Sequence, residues 1–396
     1  MDTTPLIYDE LVSRMQAGGT TAMLECLASR LQSAGRYHEW FEVLKIQLRH
    51  RLELPSHVEV GSGEVDEQKR RAWETGLLDA CRKVGRCLLD AGRVREGWMY
   101  LRPVGDLDWA RQLLQQVSPS DENRDELIEI YLQEGVDPVR GLQMVLQYHG
   151  TCNAMTAFDT RVPMHQPHVR RDAAEMLVRH LYRELVENVR ADIARREGQT
   201  LESDQNRLRD LLASRPELCA GGNYHVDVSH LAVAVRAGRF AESREVQELA
   251  ADLAAYGTRL DATLQYPGQG PFVDHYRSHQ IYLDGLLAGE AEAAVAIDYF
   301  RKQADETDIY HEGSFAVEIY IELLVRLGRI DDAMQVLTDR LPPGTRTLGI
   351  APSLLELCRL KGDFATHQEI CRSGDDWVGF AVGLLEQTGA SSKGTG

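Results

Sequence analysis

Apolar residues recur along most of the chain at intervals of three and four, the spacing that gives an α-helix one buried stripe. Ile319, Leu323, Leu324 and Leu327 mark one stripe, and Ala333, Val336 and Leu337 mark the next. From Ala173 to Ile193 the positions Met176, Leu177, Leu181, Leu185 and Val189 hold a single stripe. That predicts a helix of about six turns, longer than its neighbours. Alternating β-branched runs are lacking, so the expected fold is all-α with no sheet of consequence.

Between stripes a short phrase returns: glycine, usually arginine or aspartate, then a β-branched or aromatic residue. It reads Gly35-Arg36-Tyr37, Gly92-Arg93-Val94, Gly238-Arg239-Phe240, Gly328-Arg329-Ile330 and Gly362-Asp363-Phe364, with weaker copies at Gly135 and Gly289. Glycine in the left-handed conformation ends one helix, and the apolar residue two positions on packs into the seam with the next. Gly238 and Gly328 are therefore expected at positive φ. Gly328 and Gly362 are 34 residues apart.

That period, with a small residue five positions after the glycine (Ala333 after Gly328, Ala294 after Gly289), resembles the tetratricopeptide repeat. The likeness is closest over 314–344, extends to 224–256 and 275–303, and loosens elsewhere; Trp40 and Gly97 hold the small-residue place in the first two copies. The resemblance implies an α-α superhelix, a TPR-like solenoid, whose first helices line a concave groove. It also implies an interaction scaffold, since members of that family generally act as one.

Breaks in the repeat suggest the layout. Residues 55–68 read as a polar linker, 150–167 as a loop before the long helix, 197–206 as a polar segment, and 262–272, with two prolines and two glycines, as irregular. Pro342-Pro343 stops the helix after Gly328. The expected regions are an N-terminal helical part over 1–146, a central insertion with one long helix over 147–221, a TPR-like array over 222–388, and a disordered tail over 389–396.

The formal charge of −17 argues against nucleic acid as a partner, which needs a basic face. No stretch approaches the roughly 20 apolar residues of a membrane span, and the N-terminal residues lack the pattern of a signal peptide. Seven scattered cysteines with no CxxC pair read as reduced thiols. A cytoplasmic protein that does not engage membranes is expected.

Nucleotide-binding and hydrolase motifs are missing: no Walker A loop, no GxGxxG after a strand, no GxSxG, no HExxH. The chemistry-bearing residues are histidines and carboxylates around 225–312. His225, Asp227 and His230 precede Gly238; Asp274, His275 and His279 precede Gly289; His311 precedes Gly328. All lie near the start of a first helix in three successive repeats. Residues so placed would meet at one level of the groove, and imidazole with carboxylate suits a divalent transition metal such as zinc, iron, manganese or nickel. The same histidines fit caps or core positions, with Asp227 and Asp274 as N-caps. Tyr224, Tyr276 and Tyr310 accompany them and, with Glu318, are the candidate groove residues for a peptide, a protein partner or a small ligand. Two function classes follow: a scaffold binding a partner in its groove, or a metal-dependent enzyme or metal-binding protein built on the C-terminal repeats. Arg170 and Arg171, at the head of the long helix, either meet an acidic ligand or are absorbed by carboxylates of that helix.

Overall fold

In a computed structural model the chain is described over residues 4–54, 66–162, 165–198, 207–341 and 345–393. Twenty α-helices occupy most of these residues, and the strands among them are one short antiparallel pair, Pro267–Gln269 with Phe272–Asp274. The chain divides into two compact units, Met1–Ala154 and Met155–Gly396. Residues 55–65 of the polar linker, 199–206 of the polar segment, Pro342-Pro343 and the last three residues of the tail lie outside the described residues.

The glycine phrase ends four helices in one way. Gly35, Gly92, Gly328 and Gly362 have φ of 67, 76, 73 and 73°. In each case the next N–H donates to the carbonyl five residues back: Arg36 to Leu31, Arg93 to Leu88, Arg329 to Leu324 and Asp363 to Cys358. The glycine N–H donates three residues back, completing a Schellman turn that satisfies the last carbonyls of the helix. Three of the arginines then pair with the acid three positions on, Arg36 with Glu39, Arg93 with Glu96 and Arg329 with Asp332. These pairs are largely exposed and stabilise little.

Two copies depart from the expectation. Gly238 does not have positive φ; it is the last residue of the helix Val228–Gly238. The chain leaves that helix through short bonds from Arg239 to Arg236, Phe240 to Ala237 and Ala241 to Gly238. Glycine is needed there for close approach, because a Cβ would stand 2.4 Å from the Cβ of Ala250. Gly289, at φ −88°, precedes the helix Glu290–Glu306. The close helix contact is Gly285 against Ala296, while Ala294 is exposed, so the register is shifted from the expected one.

In the first unit the helices Thr4–Ser33, Tyr37–Arg51, Glu67–Asp90 and Val94–Leu101 pack in succession. They enclose Leu24, Ala28, Leu31, Trp40, Val43, Cys81, Val84, Leu88 and Tyr100. Gly85 and Gly97 let the last two cross closely, each lacking a Cβ that would meet the other's carbonyl at 3.1 Å.

In the second unit the long helix runs over Pro167–Glu197, and its stripe of Leu177, Leu181, Leu185, Val189 and Ile193 is buried against Val228–Gly238 and Arg244–Gly257. Arg244–Gly257, His275–Leu287, Glu290–Glu306, Phe315–Arg326, Ile330–Arg340, Leu354–Lys361, Phe364–Ser373 and Trp377–Lys393 follow, each packed on the next. Two segments expected to be irregular are ordered. Thr151–Arg161 is a helix rather than loop, begun after Gly150 at φ 85°, with Ala154, Met155, Phe158 and Val162 buried at helical spacing. Part of 262–272 is the strand pair.

Candidate functional site

Glu318 lies in the first turn of Phe315–Arg326, where the helix dipole favours a carboxylate. Its side chain is fully buried yet accepts four hydrogen bonds. Ser314 Oγ and Leu348 N reach Oε1 at 2.6 and 2.7 Å; Ile350 N and Ala351 N reach Oε2 at 2.7 and 3.3 Å. All four partners are donors, which suits an acceptor-only carboxylate. Glu318 thereby fastens the segment 345–353 to the helix. That segment then enters Leu354–Lys361 through a capping box between Ser353 and Glu356.

The fastened segment separates two hollows. On one side Thr347, Gly349 and Ala351 join Leu337, Leu341, Leu354, Ile370, Val378 and Val382 around a groove of about 730 Å³ floored by Glu318. On the other, Arg346 and Leu348 join Tyr310, His311, Glu312, Ser314 and Arg340 around a more polar hollow of about 840 Å³. Within the segment Thr347 and Gly349 face the first hollow and Arg346 and Leu348 the second.

The apolar groove also holds Cys371, whose Sγ lies 3.7 Å from Nε2 of His367. Burial and the nearby Asp376 push the thiol up, and burial pushes the imidazole down. Both shifts favour neutral thiol and neutral imidazole, the reverse of an activated nucleophile. The groove offers shape and apolar surface rather than nucleophilic chemistry.

Of the residues singled out by sequence, Glu318 floors the groove and Tyr310 and His311 line its neighbour. Tyr310 is 96 % exposed, and His311 donates to Asp308 at 2.7 Å within the short helix Ile309–Glu312. Tyr276 is fully buried, its hydroxyl donating to the carbonyl of Val228 at 3.3 Å, and Tyr224 is exposed. His275 and His279 do come together, one turn apart with ring centres 4.7 Å distant, but inside the core. His275 Nε2 bonds the carbonyl of Ala232 at 3.0 Å, His279 Nδ1 bonds that of His275 at 2.7 Å, and His279 stacks on Phe272. Desolvation holds both imidazoles below their usual range, His275 at about 4. His225 joins a separate buried chain, Nδ1 to Tyr256 Oη at 2.9 Å and Nε2 to Asp192 Oδ2 at 3.3 Å. His230 is half-buried on Val228–Gly238. Asp227 and Asp274 are N-caps, accepting from Ser229 N and Arg277 N. Among the described residues no three His, Cys, Asp or Glu side chains are grouped to hold a metal ion.

The segment 345–353 did not stand out in the sequence. The available signal was the Ser353-x-x-Glu356 pattern, which marks a helix start and hence an ordered approach to it.

The fold and the groove define a class: an all-helical protein of successively packed helices with an open apolar groove in its C-terminal half, and no helix among the described residues long and apolar enough to cross a membrane. Compared with known families, curated proteins and solved structures, the chain finds no match.

Proposed function

We propose that the chain is a helical-repeat scaffold of the tetratricopeptide kind, a superhelix over 222–388 that takes a short segment of a partner protein in the groove between Glu318 and Val382. The supporting observation is the groove itself. Its volume of about 730 Å³ falls in the range of ligand sites, its lining is mainly aliphatic, and one wall is held in place by a buried carboxylate. Val378 at its rim and the adjacent Trp377 are 76 % and 79 % exposed, apolar area of the kind that marks interaction surfaces. The preferred partner segment carries one large apolar anchor, and the acidic composition of the chain disfavours nucleic acid.

Selection from a displayed random-peptide library on the full chain is expected to enrich sequences with such an anchor. Their affinity should fall at least tenfold on Val378→Glu and on Thr347→Arg, positions where the native side chain is exposed and the core is untouched. Failure to enrich any sequence, or equal binding to both variants, would remove the groove from the account.

A further inference from the structure

Four guanidinium groups surround the turn after Val228–Gly238. Arg239 is 7 % exposed, donates to Glu322 Oε2 at 2.5 Å, and has its guanidinium carbon 4.4 Å from the centre of the Phe240 ring. Arg170, in the first turn of Pro167–Glu197, lies 5.5 Å from the centre of the same ring. Arg326 donates to the carbonyls of Arg239 and Ala241, and Arg236 pairs with Asp159.

The charges do not balance. Glu322 answers Arg239 and Asp159 answers Arg236. Glu242, just beyond the turn, is taken by Arg171, which also holds Asp172. Arg326 is answered by carbonyls at the negative end of a helix. Arg170 has no ion pair of its own: among the described residues no carboxylate or carbonyl bonds it, and its Nε is buried without an acceptor. Burial and the neighbouring Arg239 both push the Arg170 guanidinium down, with Glu322 opposing. Arginine does not relieve such a strain by losing its proton, so a positive centre remains in a half-buried place.

The surrounding backbone adds to the field. The first turn of this 31-residue helix contains His168 and Arg170 with no acidic residue, and Gln166 gives no side-chain cap. Cations at the positive end of a helix are unfavourable by themselves. In a chain of net charge −17, where carboxylates outnumber cations, a half-buried guanidinium with no ion pair of its own is opposite to the general composition. Both guanidiniums lie over Phe240, but Arg239 donates to Glu322, so only Arg170 is left for the planar, two-pronged recognition that a guanidinium supplies.

We infer that Arg170, Arg239 and Phe240 form a binding site for a small oxyanion, a phosphate or carboxylate group, gripped by the free edge of Arg170. The phosphate and carboxylate sources share the chemistry of a planar fork on two anionic oxygens, and the assay separates them.

The full chain is titrated calorimetrically with inorganic phosphate and, separately, with succinate, at ionic strength held constant with sodium chloride. Saturable binding of at least one anion is expected; response to phosphate alone assigns a phosphoryl ligand, and response to succinate alone a carboxylate. Arg170→Gln should weaken it at least tenfold. Arg170→Lys, which keeps the charge but not the fork, should fall between the two. Arg301→Gln, removing an exposed arginine paired with Asp298, should change nothing. No saturable binding by either anion overturns the inference, as does parent-like affinity in Arg170→Gln. Should that variant fail to fold, parent-like affinity in Arg170→Lys overturns it equally.

Discussion

Replacing Glu318 by glutamine removes very little volume and asks whether the carboxylate holds the 345–353 segment in place. The amide has one acceptor oxygen in place of two, and its NH2 must take one of the two oxygen positions. At the Oε2 position it faces the N–H groups of both Ile350 and Ala351; at Oε1 it faces Leu348 N and the rotatable Ser314 hydroxyl. The second choice does less damage, since the hydroxyl can turn to accept, yet one backbone N–H at 2.7 Å still loses its acceptor. A hydrogen bond to a charged group contributes about 1.5–3 kcal/mol. The remaining bonds also weaken, because they now end on a neutral oxygen. The expected loss is about 2–4 kcal/mol. For a unit of this length each kcal/mol lowers Tm by about 2–4 °C, so thermal unfolding followed by circular dichroism should shift down by roughly 5–15 °C. Amide exchange at Leu348 and Ile350 should accelerate in the same variant. A Tm within about 1 °C of the parent, with unchanged exchange at those two amides, would show that Glu318 does not hold the segment.

Three further outcomes follow from the geometry. Gly328→Ala and Gly328→Val should each lose roughly 1–2 kcal/mol to left-handed strain, and Gly328→Asn, which tolerates that region better, should recover part of it. Gly238→Ala should lose about 1–3 kcal/mol by overpacking against Ala250, with no recovery by asparagine; denaturant midpoints of the five variants distinguish the two causes. The depressed imidazoles of His275 and His279 make stability full above the unfolded histidine value near 6.5 and decreasing as pH falls toward the folded value, about 4 for His275. That is a loss of about 3 kcal/mol for His275 by the usual linkage of 1.4 kcal/mol per pH unit, measured as urea midpoints between pH 7.5 and 4.5. His275→Gln should flatten that dependence, and an unchanged slope would return the pH sensitivity to other groups.

The helices and most of their ends were legible in the chain because the bonds that make them are local. The turns at Gly35, Gly92, Gly328 and Gly362 close through carbonyls three and five residues back, so the glycine and its neighbours carry the whole signal. The caps Asp227 and Asp274 act on N–H groups two and three residues ahead and were likewise readable. The stripe of Pro167–Glu197 appeared as spacing alone. Thr151–Arg161 was missed although Ala154, Met155, Phe158 and Val162 repeat at helical intervals, because His149, Gly150 and the polar residues around them read as loop.

The site was another matter, since its decisive contacts cross long stretches of chain. Glu318 meets donors about thirty residues on, and nothing near it in sequence marks it as the anchor of a loop. Arg239 repeats the phrase whose arginine elsewhere pairs three residues ahead, yet here it reaches across to Glu322 because the tight Gly238–Ala250 contact alters the turn. His275 and His279 begin a helix, where a groove position and a core position look alike; packing of Phe272 and the carbonyl of Ala232 against them made them core. Local hydrogen bonding is set by neighbours in sequence and so is determined by the chain itself. Burial depends on which distant surface arrives to exclude water, and only the tertiary structure decided that.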